Sequence, residues 1–133
     1  MVLLNDRQLV ININGDIYEV VKKYLRIFLA QESLTEKQLE VATALVARYS
    51  EYLHGGVKEP YASTLLFSTD TRKDIVKELK ISYAHLLNTF KALIGKQIIA
   101  REGNRYVLNP YIVPNSSILF KFNVNGKDGR GKG

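Results

Sequence analysis

The sequence predicts an α+β fold, mainly α, with a helix–turn–helix and β-hairpin unit at its centre and further strands near both termini. Three observations predict it. Between Thr69 and Pro110, two apolar helical stripes are separated by Lys80-Ile81-Ser82 and followed by the runs Ile98-Ile99 and Tyr106-Val107-Leu108. Upstream, Thr35 and Gln38 have the spacing of a capping box, the start signal of a long helix. Near the ends, QLVINI at 8–13 and ILFKFNV at 118–124 read as apolar strands. The central order of helix, turn, helix and hairpin is that of a winged helix-turn-helix with a short β-hairpin wing.

Each element has its own local reason. Gln8 to Ile13 is β-branched and apolar, and Asn14-Gly15 suits a tight turn because both residues tolerate positive φ. Ile17 to Val21 is therefore a candidate return strand. From Val20 a helix to about Ala30 is expected instead, since Val20, Val21, Tyr24, Leu25, Phe28 and Leu29 have helical spacing. The helix opened at Thr35 is expected to run to about Leu53, with a buried stripe of Leu39, Ala42, Leu45 or Val46, Tyr49 and Leu53. His54-Gly55-Gly56 ends it. Val57 to Phe67 reads as irregular, with Thr64 to Phe67 a candidate third strand for the hairpin. Ser68 or Thr69 caps the next helix, whose Ile75, Val76 and Leu79 share a face. Ile81 is expected to plug the turn, and Ser82 to cap the second helix. There Leu86, Phe90 and Leu93 form the buried stripe, Ala84, Asn88 and Lys91 lie opposite, and His85 and Leu87 flank. Gly95 is expected to end that helix. Glu102-Gly103-Asn104-Arg105 supplies the hairpin turn, and Pro110 stops the second strand. In ILFKFNV, Ile118, Phe120, Phe122 and Val124 alternate, so the strand needs a partner. Its candidates are QLVINI and a second copy of the chain, and a homodimer is the expectation.

With 133 residues, the chain is long enough for one core without staples. The expected organisation is a single domain over 1–124, followed by a flexible, basic, Gly-rich tail over 125–133. The absence of cysteine excludes disulfides, thiolate nucleophiles and zinc fingers, and the two histidines stand far apart. A net charge of +6 favours a polyanionic partner. The sequence pI is about 9.5. No apolar run approaches the roughly 18 residues of a membrane span. The start MVLLNDRQLV lacks the pattern of a signal peptide. A cytoplasmic protein without a membrane partner is expected.

No catalytic pattern stands out. There is no phosphate-binding loop of the Gly-x-x-x-x-Gly-Lys-Ser/Thr type. Asp70 and Asp74 are four apart, but they alternate with lysines as a solvated ion-pair face does. The expectation is a non-enzyme without cofactor or metal. The exposed side of the central unit carries a different signal. From Ser82 to Tyr106 the charged residues are Lys91, Lys96, Arg101 and Arg105 against the single acid Glu102. Tyr83, Ala84, His85, Asn88 and Lys91 line the face expected to enter a major groove, where Asn88 suits adenine and Ala84 leaves room for a thymine methyl. Arg101 and Arg105 flank the hairpin turn and are placed for phosphates or the minor groove. Thr71, Arg72 and Lys73 stand at a helix N-terminus, where N–H groups and cations hold phosphate.

The order of elements resembles that of the RepL-type plasmid and phage replication proteins. The segments that carry the resemblance are IYEVVKKYLRIFLAQESLTEKQLEVATALV, TRKDIVKELKIS, NTFKALIGKQII and the ending YVLNPYI, together spanning residues 16–112. The Tyr-x-Leu-Asn-Pro end of the wing is the most telling of these. The resemblance implies a protein that binds duplex DNA in plasmid or phage replication, inside a bacterial host and beside other replication proteins. It implies no catalytic residues and no particular DNA sequence. Two alternatives share the fold: a winged-helix transcription regulator working with transcription proteins, and an interaction or scaffold module that holds protein partners.

Overall fold

Two strands, Val2–Asn5 (β1) and Gln8–Gly15 (β2), lead into α1 at Ile17–Phe28. The computed structural model describes residues 2–5, 8–113 and 118–124, with side chains for 16–113. Ile17 to Val21 is helical from its first residue, so the return strand expected after Asn14-Gly15 does not form. The cause is local and tertiary together. The Asp16 carboxylate accepts from Glu19 N at 2.9 Å, an N-cap that starts the helix. Val20, Val21, Tyr24 and Leu25 then bury one full stripe, at 1% exposure or less. β2 pairs instead with β1, antiparallel, with Val2 opposite Val10 and Leu3 opposite Leu9.

After a 3₁₀ turn at Ala30–Glu32 comes α2, Glu36–His54. Its capping box is complete. Gln38 N donates to Thr35 Oγ1 at 3.1 Å, and Thr35 N donates to Gln38 Oε1 at 3.0 Å. Every residue from Val41 to Ala47 is buried, so α2 is the central rod of the core rather than a one-faced helix. Thr43, the one polar residue in that run, donates its hydroxyl to Leu39 O at 2.7 Å. Leu39, Ala42, Leu45 and Val46 hold their expected places, but Leu53 is 41% exposed near the helix end.

Tyr61–Leu66 is a short helix, α3. It replaces the irregular segment and the third hairpin strand expected over Thr64 to Phe67. Ala62 and Leu66 are one turn apart and both fully buried, which fits a helix. The turn is fixed from its start, where Ser63 N and Ser63 Oγ donate to the two Glu59 carboxylate oxygens at 3.1 and 2.8 Å.

The central unit follows as α4 (Thr69–Leu79), α5 (Tyr83–Gly95), β3 (Ile99–Glu102) and β4 (Arg105–Leu108). Ser68 and Ser82 cap the two helices, accepting from Thr71 N and His85 N. Lys80 turns the chain between them with φ 57°, and Ile81 packs against the core as expected. Leu86, Phe90 and Leu93 are at 1% exposure or less. Gly95 is the last residue of α5, but the left-handed residue that redirects the chain is Gln97, with φ 63°. Ile98 N then bonds back to Leu93 O at 2.9 Å, closing the helix end. β3 and β4 pair in register from Ile99 with Leu108 to Glu102 with Arg105, and the sheet they form has two strands. Gly103 takes φ 65° at the first central position of the turn.

Asn109 locks the hairpin to the helix end. Its backbone N donates to Ile98 O, and its Nδ2 donates to Gln97 O at 2.8 Å. Its Oδ1 accepts from Tyr111 N, starting a 3₁₀ turn at Pro110–Ile112. Tyr24 in α1 ties down that turn by donating to Ile112 O at 2.6 Å.

The last strand is β5, Ile118–Val124. It runs parallel to β2, with Leu9 opposite Ile118 and Ile13 opposite Phe122, in the sheet order β1-β2-β5. This is the intramolecular alternative for the ILFKFNV strand. The tail expected over 125–133 lies outside the described residues. Among the described residues no helix is long and apolar enough to cross a membrane.

Candidate nucleic-acid interface

The stripe that buries α5 sets what it leaves outside. Leu86, Thr89, Phe90 and Leu93 turn inward. Tyr83, Ala84, His85, Asn88 and Lys91 are all exposed, Tyr83 at 37%. Ala84, Asn88 and Lys91 are spaced to share one line along the helix. Thr89, not His85, provides the side-chain bond in this turn, donating its hydroxyl to His85 O at 2.8 Å.

The hairpin is held against α5 by three rings. Phe67, Phe90 and Tyr106 meet pairwise, with centroids 5.7 to 6.1 Å apart. Arg72 and Arg101 join the cluster. The Arg101 guanidinium lies 5.3 Å from the Tyr106 ring centre, and that of Arg72 lies 5.8 Å from Tyr106 and 6.0 Å from Phe90. Such contacts are worth about 0.5–1 kcal/mol at exposed sites. Arg72 Nη1 also donates to Tyr83 Oη at 3.4 Å. One arginine of α4 thus touches the start of α5 and the hairpin at once. Arg72 Nε is buried and meets no acceptor among the described residues.

The expected contact residues therefore divide. Tyr83, Ala84, His85, Asn88 and Lys91 form the exposed face of α5, and Arg101 and Arg105 are exposed on the hairpin. Among the described residues Arg105 forms one long ion pair, 3.8 Å to Glu102 on the other side of the turn, and its charge also helps to lower the Glu59 carboxyl. Lys73 is exposed on α4. Thr71 does not belong to this surface. It is 7% exposed, its hydroxyl donates to Leu65 O at 2.7 Å, and its N–H is satisfied by Ser68. It fastens α4 to α3 and has no donor left for a phosphate. Arg72 is half-buried, a brace as well as a cation.

Reasoning from spacing alone overlooks the aromatic cluster. Phe67 falls in a stretch read as a strand, so nothing in the spacing brings it to Phe90. It also overlooks Glu59, which accepts from Tyr49 Oη and from Ser63 behind the hairpin. Burial raises the Glu59 carboxyl, and the hydrogen bonds from Tyr49 and Ser63 more than offset that, leaving it below the usual carboxylate value. A groove of about 460 Å³ opens there, lined by Tyr49, Leu53, Glu59, Val107, Pro110 and Val113 among others. Among the described residues, no group of three or more His, Asp or Glu side chains could hold a metal ion. Comparison of the chain with protein-family models, curated proteins and solved structures gave no match.

Proposed function

We propose that this chain is a non-enzymatic protein that binds duplex DNA as a winged helix-turn-helix, with α5 in the major groove and the β3–β4 hairpin as the wing. The observation that carries the reading is the joined surface of α5 and the hairpin. A polar, acid-free helix face with Ala84, Asn88 and Lys91 stands beside two exposed arginines, and an arginine-aromatic cluster fixes one to the other. A rigid pairing of helix and hairpin is what groove recognition with flanking phosphate contacts needs. The role in plasmid or phage replication rests on the likeness of residues 16–112 to the RepL type. A transcription regulator would use the same surface and differ in its DNA site.

The test is binding to labelled duplexes across a salt series. Arg101→Ala with Arg105→Ala is expected to weaken binding to many duplexes alike and to flatten the log–log salt slope by about two units. Asn88→Ala is expected to cost about 1–3 kcal/mol on a site selected from random duplexes and little on other DNA. No salt-sensitive binding to any duplex at low ionic strength would sink the DNA reading. The groove behind the hairpin would then favour a protein-interaction role, since Leu53 and Tyr111 nearby are 41% and 77% exposed.

A homodimer belongs to the same proposal. β5 has β2 on one side and, among the described strands, no neighbour on the other. An open strand edge invites a second chain. A monomer mass at tens of micromolar rejects it.

A further inference from the structure

A cleft of about 200 Å³ lies between α3 and the tip of the hairpin, away from the exposed line of α5. Its lining includes Thr64 of α3, Arg72 of α4, and Asn104 and Arg105 of the hairpin. No lining residue is acidic. Arg72 is held there by the rings of Phe90 and Tyr106 rather than by a carboxylate, and none of the ion pairs among the described residues includes it. Its buried Nε lacks an acceptor, and its bond to Tyr83 is long at 3.4 Å. A guanidinium fixed by packing keeps its charge and most of its donors for an outside acceptor. Arg105 brings a second guanidinium and Asn104 a neutral amide. Thr64 adds little as a donor, because its hydroxyl is bonded to Pro60 O at 3.1 Å, but it is exposed at the cleft.

We infer that this cleft seats one backbone phosphate of the bound duplex, which extends the interface to α3. The ligand class is a phosphodiester, because two guanidinia and an amide, with no carboxylate in the lining itself, match an oxyanion, and the Glu102 that pairs with Arg105 stands off at 3.8 Å. The source is DNA, because Arg105 is exposed on the hairpin of the proposed DNA surface and Arg72 contacts Tyr83 at the start of α5. The inference rests on the DNA-binding reading and is tested separately from it.

The test uses the full chain, a labelled duplex of about 20 base pairs, a length covering two turns at 10–10.5 base pairs each, and a salt series. Thr64→Glu places a carboxylate at the cleft without touching α5. It is expected to weaken binding at least about tenfold and to flatten the salt slope by about one unit, the share of one phosphate. Thr64→Gln, of the same length without charge, is expected to bind nearly as the parent does. Thr64→Glu combined with Arg105→Ala is expected to lose less than the two losses added, since both act on one phosphate. Combined with Lys91→Ala, the losses are expected to add. Melting curves check that the variants remain folded. If Thr64→Glu binds as the parent while Lys91→Ala and Arg101→Ala weaken binding, the DNA reading stands and the cleft inference is overturned. If inorganic phosphate raises the Tm of the parent but not of Thr64→Glu while duplex affinity is the same in both, the cleft serves a small phosphorylated ligand and the inference fails. If the parent binds no duplex, both readings fall together.

Discussion

Phe90 shows how one side chain can serve two structures. It lies at the centre of the buried stripe of α5, and its ring also meets Phe67 from the end of α3 and Tyr106 from the hairpin. Phe90→Ala is expected to cost about 3–5 kcal/mol in denaturant unfolding, from lost burial and the cavity left behind. An unchanged midpoint would mean that the ring is not enclosed. The left-handed residues give an opposite expectation. Gln97 holds φ 63° and Lys80 holds φ 57°, a region where a Cβ is disfavoured. Gln97→Gly is expected to stabilise the fold by about 0.5–1 kcal/mol, because relief of the strained backbone exceeds the added freedom of the unfolded chain. The Gln97 carbonyl, which accepts from Asn109, is kept. A loss of stability in that variant would show that the Gln97 side chain contributes something its backbone does not. Gln97 was hard to read from sequence because a glycine two residues earlier offers the more obvious stop signal.

At the scale of elements, what was legible is what local chemistry decides. Thr35 with Gln38, Ser68 and Ser82 mark helix starts through bonds made within three residues, and all three starts are present. Thr35→Ala is expected to cost about 1 kcal/mol, the usual worth of such a cap, and to be read from the thermal midpoint. The misread elements are those that tertiary packing decides. Ile17 to Val21 and Thr64 to Phe67 both carry residues suited to strands, yet Ile17 to Val21 and Thr64 to Leu66 become helix, packed against α2, with Phe67 as a helix C-cap. Asp16 with Glu19 was the available signal for the first, since Asp16 caps α1. The second had none as direct, because its fastening acid, Glu59, lies before the helix and bonds across one turn. The Tyr-x-Leu-Asn-Pro run that carries the family resemblance has a structural task. Tyr106 closes the aromatic cluster, Leu108 is 5% exposed, and Asn109 binds the helix end to the strand end. Likeness in that run therefore speaks first for the way the hairpin is mounted. On the candidate site, exposure of the α5 face and of both hairpin arginines was legible from helical phase and turn position. The burial of Thr71 and the bracing role of Arg72 were not, because both depend on partners distant in sequence.

Across the whole molecule, tyrosine hydroxyls join parts distant in sequence, and this makes alkaline stability informative. Tyr24 reaches from α1 to Ile112 beyond the hairpin. Tyr18 donates from α1 to Glu40 O of α2, and Tyr49 bonds Glu59. Burial pushes Tyr18 up to about 12 from its ordinary 10.0, and the nearby Glu40 and Glu78 charges add to the rise. Burial does the same for Tyr49, also to about 12, with help from Glu59. Tyr24 is raised further still, by burial. A phenol whose folded value lies above its unfolded value favours folding while it is protonated. Its contribution is complete below pH 10 and is lost as pH rises through the folded value. The acid side has the opposite sign. Glu36 is held below 4.5 by bonds from Lys22 and then Arg26, and Glu59 is also lowered, so their contribution is lost as pH falls below 4.5. Stability is therefore expected to be flat between these limits and to fall at both ends. Tyr24→Phe separates the alkaline term. At pH 7 the variant is expected to be less stable by about 1–2 kcal/mol, because a buried hydrogen bond to a carbonyl is lost. Above pH 10 the unfolded parent is favoured because its Tyr24 ionises while the folded one stays protonated, whereas phenylalanine has no proton to lose. The gap between parent and variant should narrow as pH rises from 10 towards 12. A gap that stays constant or widens in urea titrations across that range would show that the Tyr24 hydroxyl does not resist ionisation in the folded protein, and that its tie to Ile112 is not maintained in solution.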